Sequence, residues 1–266
     1  MIPLARKRVI SELAEYTADL YFPSSTILPE TIAADNNISF NYGYYGDYFD
    51  GLLEQAKGLF HIYINLDKVK RSNSSRSRFT FAHELGHYFL DEHRRALLAG
   101  KVPAHPSVTD FSSRNVVEQE ADYFASSLLM PQARFLHDCR SIPISLELIQ
   151  RLAHQYQTSL AATLLRYASI GRHPIMVVCS HDGKVLWHYK SDDFEFKYLK
   201  STKGHVPFTT ATGEYFSKGT KYLVPEVVFA EDWFDYIEYE RNTFEIKEQC
   251  FYFDDVAITL TMIWYN

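Results

Sequence analysis

Cysteine is scarce in this chain. Cys139, Cys179 and Cys250 are three among 266 residues, odd in number and widely spaced. That excludes a disulfide framework and fits a reducing cytosol. Long apolar runs are missing as well, since no stretch reaches the roughly 18 residues of a membrane-spanning helix. The basic start Arg6-Lys7-Arg8 is followed by Glu12, Glu15 and Asp19 rather than by an uninterrupted apolar segment, so no signal peptide is expected. Nor is there an excess of positive charge. The formal net charge of -6 argues against a general nucleic-acid binder, although it leaves room for a local basic patch. Internal repeats and low-complexity tracts are absent. What is present is 46% hydrophobic and 15% aromatic, enough for the core of one large domain or two modest ones.

Helical spacing of Leu4, Val9, Ile10, Leu13 and Leu20 predicts a first helix over residues 4–21, and Pro23 ends it. A short second helix follows Pro29. Ile38-Ser39-Phe40, Tyr48 to Gln55 and Leu59 to Leu66 read as three strands, with Lys57-Gly58 as the turn between the last two. A basic connection then carries Lys68, Lys70, Arg71, Arg76 and Arg78. Ser75 or Ser77 is the expected N-cap of a helix from Phe79 to about Leu90. Residues 100–113 read as loop. Ser112 or Ser113 is expected to cap the next helix, from about Arg114 to Met130, which Pro131 stops. Residues 144–170 show two helices parted at Gln157-Thr158-Ser159. That is helix-turn-helix spacing, but the recognition segment Leu160 to Arg166 has one basic residue, so it reads as scaffold rather than as a DNA reader. Beyond Pro174 the texture turns aromatic and β-rich. Strands are expected at Ile175 to Ser180, Val185 to Tyr189, Tyr222 to Ala230, Tyr236 to Arg241 and Val256 to Tyr265.

The chemistry is concentrated in His83-Glu84-Leu85-Gly86-His87. On a helix, residues i and i+4 share a face, so both imidazoles can reach one metal ion. Glu84 then stands beside the metal, where it can take a proton from a water that zinc has made acidic. Zinc sites that do chemistry use three protein ligands and leave a position for water. His93 is one candidate for the third. The metzincin spacing it would satisfy needs a glycine where this chain has Leu90, and leucine resists the positive φ of that turn. His93 therefore reads as an exposed helix-end histidine. Glu118 is the stronger candidate. It lies four residues before Asp122, on the same helix face. Glu118 can ligate while Asp122 takes the ring N–H of a ligand histidine, His83 in the favoured arrangement. Glu120 points away from those two and reads as exposed or bonded elsewhere. Tyr42, Tyr44, Tyr45 and several histidines are available to stabilise an oxyanion, and none is singled out. The strand from Phe60 to Asn65 is read either as an edge that pairs with extended substrate or as plain core.

Arg78 to His87, Glu118-Gln119-Glu120-Ala121-Asp122-Tyr123-Phe124-Ala125 and Leu128-Leu129-Met130-Pro131 together resemble the ImmA/IrrE family of zinc metallopeptidases. The likeness extends over about residues 30–170 and includes the IrrE-like and CapP-like branches. It implies zinc held by His83, His87 and Glu118 with Glu84 as catalytic base. It implies cleavage of a helix-turn-helix transcriptional repressor in a stress, DNA-damage or anti-phage response, with single-stranded DNA as a candidate activator. The fold class that follows is α+β. A zincin-like metallopeptidase domain spans residues 1–172, with a small antiparallel sheet, active-site helices and the helix-turn-helix-like segment 144–170. A β-rich domain over 173–266 follows, where the IrrE branch carries a GAF-like sensor. Here the segment reads as nearly all β and acidic between Glu226 and Glu248, which leaves a sensor, a substrate-docking module or a lid. Two rival functions remain: a non-proteolytic, zinc-containing DNA- or partner-binding regulator, and a toxin–antitoxin or phage-regulator component acting by contact. The expected location is the cytoplasm, with no membrane partner; the oligomeric state is left open.

Overall fold

A computed structural model describes residues 2–100, 105–107, 115–170, 173–200, 204–237 and 243–265, with the backbone alone for 105–107. Two compact units divide the chain. One comprises Met1–His137 with Ala153–Ser159, the other Asp138–Leu152 with Leu160–Asn266.

The first unit begins with α1 (Leu4–Tyr21) and α2 (Pro29–Asp35). Ile10, Ala14, Thr17 and Ala18 form the buried stripe of α1, as a helix lying on a core requires. The strands β1 (Ile38–Gly43), β2 (Gly51–Ala56) and β3 (Leu59–Asn65) follow, then the short α3 (Leu66–Val69). Lys57 and Gly58 both take positive φ, 53° and 84°, as a two-residue hairpin needs. The hairpin sets β3 beside β2 in antiparallel register, Leu53 opposite Ile62. It also slots β3 against β1, which it joins in parallel, Phe40 opposite Ile62. The sheet is therefore mixed rather than purely antiparallel.

That order decides between the two readings of Phe60 to Asn65 in favour of a core strand and against a substrate-pairing edge. With β1 on one side and β2 on the other, β3 is central, and its alternation buries Phe60, Ile62 and Ile64 in the core. The outer side of β2 meets β4 (His105–Ser107), with Leu53 opposite His105. Residues 105–107 are thus strand, not loop.

The helix α4 (Ser75–Phe89) starts earlier than its apolar pattern indicates. Its N-cap is Ser74, whose side chain accepts from the Ser77 N–H at 3.1 Å. Neither Ser75 nor Ser77 is the cap. Arg76 and Arg78 lie inside the first turns because they have internal carboxylate and carbonyl partners. Leu90 ends the helix at φ −73° and ψ 110° and also caps α5 (Asp91–Leu98). The chain thus turns at Leu90 without a positive φ. Then come α6 (Val116–Leu129) and α7 (Gln132–Asp138). Asn115 caps α6, its side chain accepting from the Val117 N–H at 3.1 Å. Ser112 and Ser113, the expected caps, lie outside the described residues. Phe81, Leu85, Phe124 and Leu128 join Ile62 and Ile64 in one core.

The helices α8 (Leu146–Tyr156) and α9 (Leu160–Ile170) are parted where expected, Gln157 making the turn at φ 54°. In the second unit, β5 (Ile175–His181) and β6 (Lys184–Lys190) precede α10 (Ala211–Lys218), β7 (Glu226–Phe229), α11 (Ala230–Trp233), β8 (Glu245–Phe253) and β9 (Ile258–Trp264). These strands form one antiparallel sheet ordered β6-β5-β9-β8-β7. Three sequence expectations change here. The strand read at Tyr222 to Ala230 shortens to β7. Tyr236 and Ile237 are not strand, and residues 238–241 lie outside those described. Two elements, α10 and β8, went unread. They are joined by Glu248, a fully buried carboxylate on β8. It accepts from the N–H groups of Ala211 (2.9 Å) and Thr212 (2.8 Å), the Thr212 hydroxyl (2.7 Å) and Trp233 Nε1 (3.1 Å). A carboxylate suits the unsatisfied N–H groups and positive dipole end of α10. Among the described residues no helix is long and apolar enough to cross a membrane.

Glu248→Ala removes the acceptor of the Ala211 and Thr212 N–H groups and of Trp233 Nε1. It should lower the stability of the second unit by at least about 2 kcal/mol, read as an earlier urea transition in the fluorescence of Trp233. A transition unmoved from the wild type would contradict this account of α10.

Candidate metal centre

Two helices build the centre. On α4 every residue from Ser77 to His87 is buried, so the motif lies inside the molecule and not on a solvated face. His83 and His87 are one turn apart. Glu118 lies in the first turn of α6. What lets α6 come close enough is Gly86. A Cβ there would sit 3.2 Å from both the Cα and the carbonyl oxygen of Ala121, tighter than side chains normally pack. Two small residues face each other, and the helices close on them.

The donors converge as a result. His83 Nε2 and His87 Nε2 are 3.1 Å apart, with Glu118 Oε2 3.3 Å from the first and the other oxygen, Oε1, 3.5 Å from the second. Ligand bonds of about 2.0–2.2 Å in a tetrahedron imply edges of about 3.3–3.6 Å. All three residues are buried, and their donor atoms fall within 4.8 Å of one another. Two imidazoles and a carboxylate are a donor set that zinc takes at catalytic sites, with a position left for water or substrate. The structure thus brings together the three residues that the sequence singled out, and they fit the ion.

Asp122 Oδ1 lies 2.8 Å from His83 Nδ1, the arrangement expected from its spacing. Burial opposes a charge on His83, but hydrogen bonds to Asp122 and Glu118 outweigh it and push its pKa up to about 10. The carboxylates around the site thus hold a proton on this ring when no metal does.

His93 departs from its sequence reading. It is buried, not exposed, because the break at Leu90 turns α5 back toward α4. Its Nδ1 lies 3.2 Å from His87 Nδ1, and its Nε2 lies 3.2 Å from Glu120 Oε2. It therefore touches a candidate ligand and does not join the three. Glu120 is also buried, and its second partner is Arg6 on α1, through Nε at 3.0 Å and Nη2 at 2.6 Å. Burial works against a charge on Glu120, but Arg6 prevails and holds its pKa below the usual carboxylate value. No local spacing signals this contact, since Arg6 and Glu120 are 114 residues apart.

Glu84 is fully buried. Gly51 on β2 makes space for it, since a Cβ there would lie 2.6 Å from Glu84 Oε1. Sequence reading passed over Gly51, although glycine inside a strand commonly marks a close approach. A cavity of about 170 Å³ opens beside Glu84 and His87, with Leu53, Ala96, Leu97 and Val117 as its apolar walls. Of the tyrosines considered, Tyr42 donates to Glu30, Tyr45 accepts from Asn41, and Tyr44 is exposed.

Residues 62–167 match the family described as the IrrE N-terminal-like domain, a peptidase family. No curated protein matches the chain. Among solved structures, a Mycobacterium tuberculosis transcriptional regulator is similar, with a TM-score of 0.58 at 12% identity over 98% of this chain and 75% of that one. At that identity the likeness is one of fold.

A metal ion bound through His83 would compete with the second proton that Asp122 and Glu118 favour on this ring. Titrating zinc into the metal-free protein at pH 7.5 should release about one proton from this ring, seen as a binding heat that varies with the ionisation enthalpy of the buffer. Asp122→Asn should reduce that release. A heat independent of buffer would show that His83 carries no proton there.

Proposed function

We propose, from the match of residues 62–167 to the IrrE N-terminal-like peptidase family, that the chain is a zinc-dependent endopeptidase that cleaves a regulatory protein, a helix-turn-helix transcriptional repressor, in a stress or anti-phage response. The observation that carries the reading is the convergence of His83, His87 and Glu118, whose donor atoms lie within 4.8 Å of one another, with Glu84 buried beside them. A purely structural zinc site has no use for a carboxylate in that place.

Zinc bound here would lower the pKa of a coordinated water to roughly 7 and polarise the scissile carbonyl. The protein supplies the rest. Glu84 accepts a proton from the attacking water and returns it to the departing amine. Gly51 gives its carboxylate the space to approach, and Asp122 keeps the Nε2 lone pair of His83 directed at the metal. The cavity beside Glu84 accommodates one apolar side chain of the substrate, since a dry cavity of about 150 Å³ is known to accept a benzene ring. Residues 173–266 would act as a sensor or docking module, and single-stranded DNA is a candidate trigger.

The DNA-binding alternative has less to support it. Arg166, the basic residue of the recognition segment, is buried at 1% exposure and cannot meet a phosphate. In the basic connection, Lys68 pairs with Asp47, Arg76 pairs with Asp50, and Arg78 donates to the Ile27 carbonyl. Those cations are already engaged within the protein.

Glu84→Gln should bind zinc as the wild type does and cleave about 10²–10⁴-fold more slowly. The assay incubates the protein with zinc and a small helix-turn-helix repressor encoded beside it, with and without single-stranded DNA. Cleavage by this variant at the wild-type rate would falsify the assigned mechanism. Salt-dependent DNA binding without proteolysis would favour the alternative. Gly51→Ala should retain zinc and lose turnover, because the new methyl displaces Glu84. Ala96→Phe should raise KM for substrates with a large apolar residue at the scissile bond. An unchanged KM would remove the cavity from substrate binding.

A further inference from the structure

The two histidines of the centre are braced in different ways. His83 Nδ1 meets a carboxylate directly, Asp122 Oδ1 at 2.8 Å. His87 Nδ1 meets a second imidazole instead, His93 Nδ1 at 3.2 Å. Behind His93 stands Glu120, 3.2 Å from its Nε2, and behind Glu120 stands Arg6 with its paired contacts of 3.0 and 2.6 Å. Arg6 also reaches Glu92 at 3.1 and 3.2 Å. His93 and Glu120 are 8% exposed, so water competes little for these contacts.

The protons along this chain follow from one condition. An imidazole that binds metal through Nε2 carries its hydrogen on Nδ1. His87 then donates to His93, whose Nδ1 must accept. The remaining proton of His93 is on Nε2 and faces Glu120, which can only accept while ionised. Arg6, a cation at any working pH, fixes that ionised state. Each contact has one donor and one acceptor, and reversing any of them would place two donors or two lone pairs face to face.

We propose that His93 and Glu120, anchored by Arg6, are positioning residues that set the tautomer and ring plane of His87 for the metal. The inference rests on the metal reading given above and adds residues that it does not require. Arg6 lies outside the matched segment 62–167, so the brace ties the peptidase centre to the N-terminal helix. A plain packing role would predict something different: trimming His93 would cost stability and leave metal affinity alone.

Zinc affinity by chelator competition, the visible spectrum of the cobalt-substituted protein, and urea stability of the metal-free protein separate the two. His93→Ala should bind zinc about 10–100-fold more weakly and shift the cobalt bands. His93→Asn, whose Oδ1 can stand where Nδ1 stood, should recover most of the affinity, and Glu120→Ala should show an intermediate loss. Folded His93→Ala with wild-type affinity and an unchanged cobalt spectrum overturns the proposal. So does equal weakening by Ala and Asn at position 93. If His93→Ala does not fold, Glu120→Ala decides, and wild-type affinity in that variant is equally fatal. A wild-type protein that binds no zinc at all defeats the metal reading itself, a result distinguishable from these.

Discussion

The closeness of α4 and α6 is the constraint on which the centre depends. Gly86 and Ala121 face each other across the contact so closely that a Cβ on Gly86 would lie 3.2 Å from the Ala121 backbone. With bulkier residues there, the helices would separate and Glu118 would be carried away from the two imidazoles. The metal geometry is therefore a consequence of backbone packing. The donors need no special conformation of their own once the helices are this close. Phe89 stacked on Phe124, at 5.8 Å between centroids, and the buried Leu85 and Leu128 hold the same pair of helices together with apolar area.

The same closeness concentrates charge in a dry place. Glu84, Glu118, Glu120 and Asp122 surround two imidazoles, a grouping that repels itself unless cations share it. Arg6 supplies one from α1. A divalent ion at the three donors would supply the other. His93 lies between these two positive positions, and its neutral ring can transmit an orientation from one to the other. The α1 helix thus contacts the surroundings of the site through Arg6 although it contributes no candidate ligand.

How far the sequence revealed this arrangement depended on distance along the chain. His83 and His87, like Glu118 and Asp122, are four apart, and helical geometry alone puts each pair on one face. Leu90 was rightly read as barring a positive-φ turn, yet the conclusion that His93 lies exposed did not follow. An extended φ and ψ at Leu90 turned the chain just as well and sent α5 back to the centre. The central place of β3 was hidden for a similar reason. Alternating apolar residues fit an edge and a centre equally, and only pairing on both sides distinguishes them. The strand β8 went unread because Glu245, Lys247, Glu248 and Gln249 look like a solvated segment until Glu248 is seen capping α10.

By itself the sequence determined which residues are candidates for the site: two imidazoles, a neighbouring glutamate and a third acidic group, each recognisable from spacings within a single helix. Those spacings are fixed by 3.6 residues per turn and need no knowledge of the rest of the molecule. Tertiary structure alone decided how α4 meets α6, that β3 lies between β1 and β2, and which residues stand behind the candidate ligands. Such contacts join residues up to 114 positions apart, and they arise from packing of whole elements, for which no local pattern of residues exists.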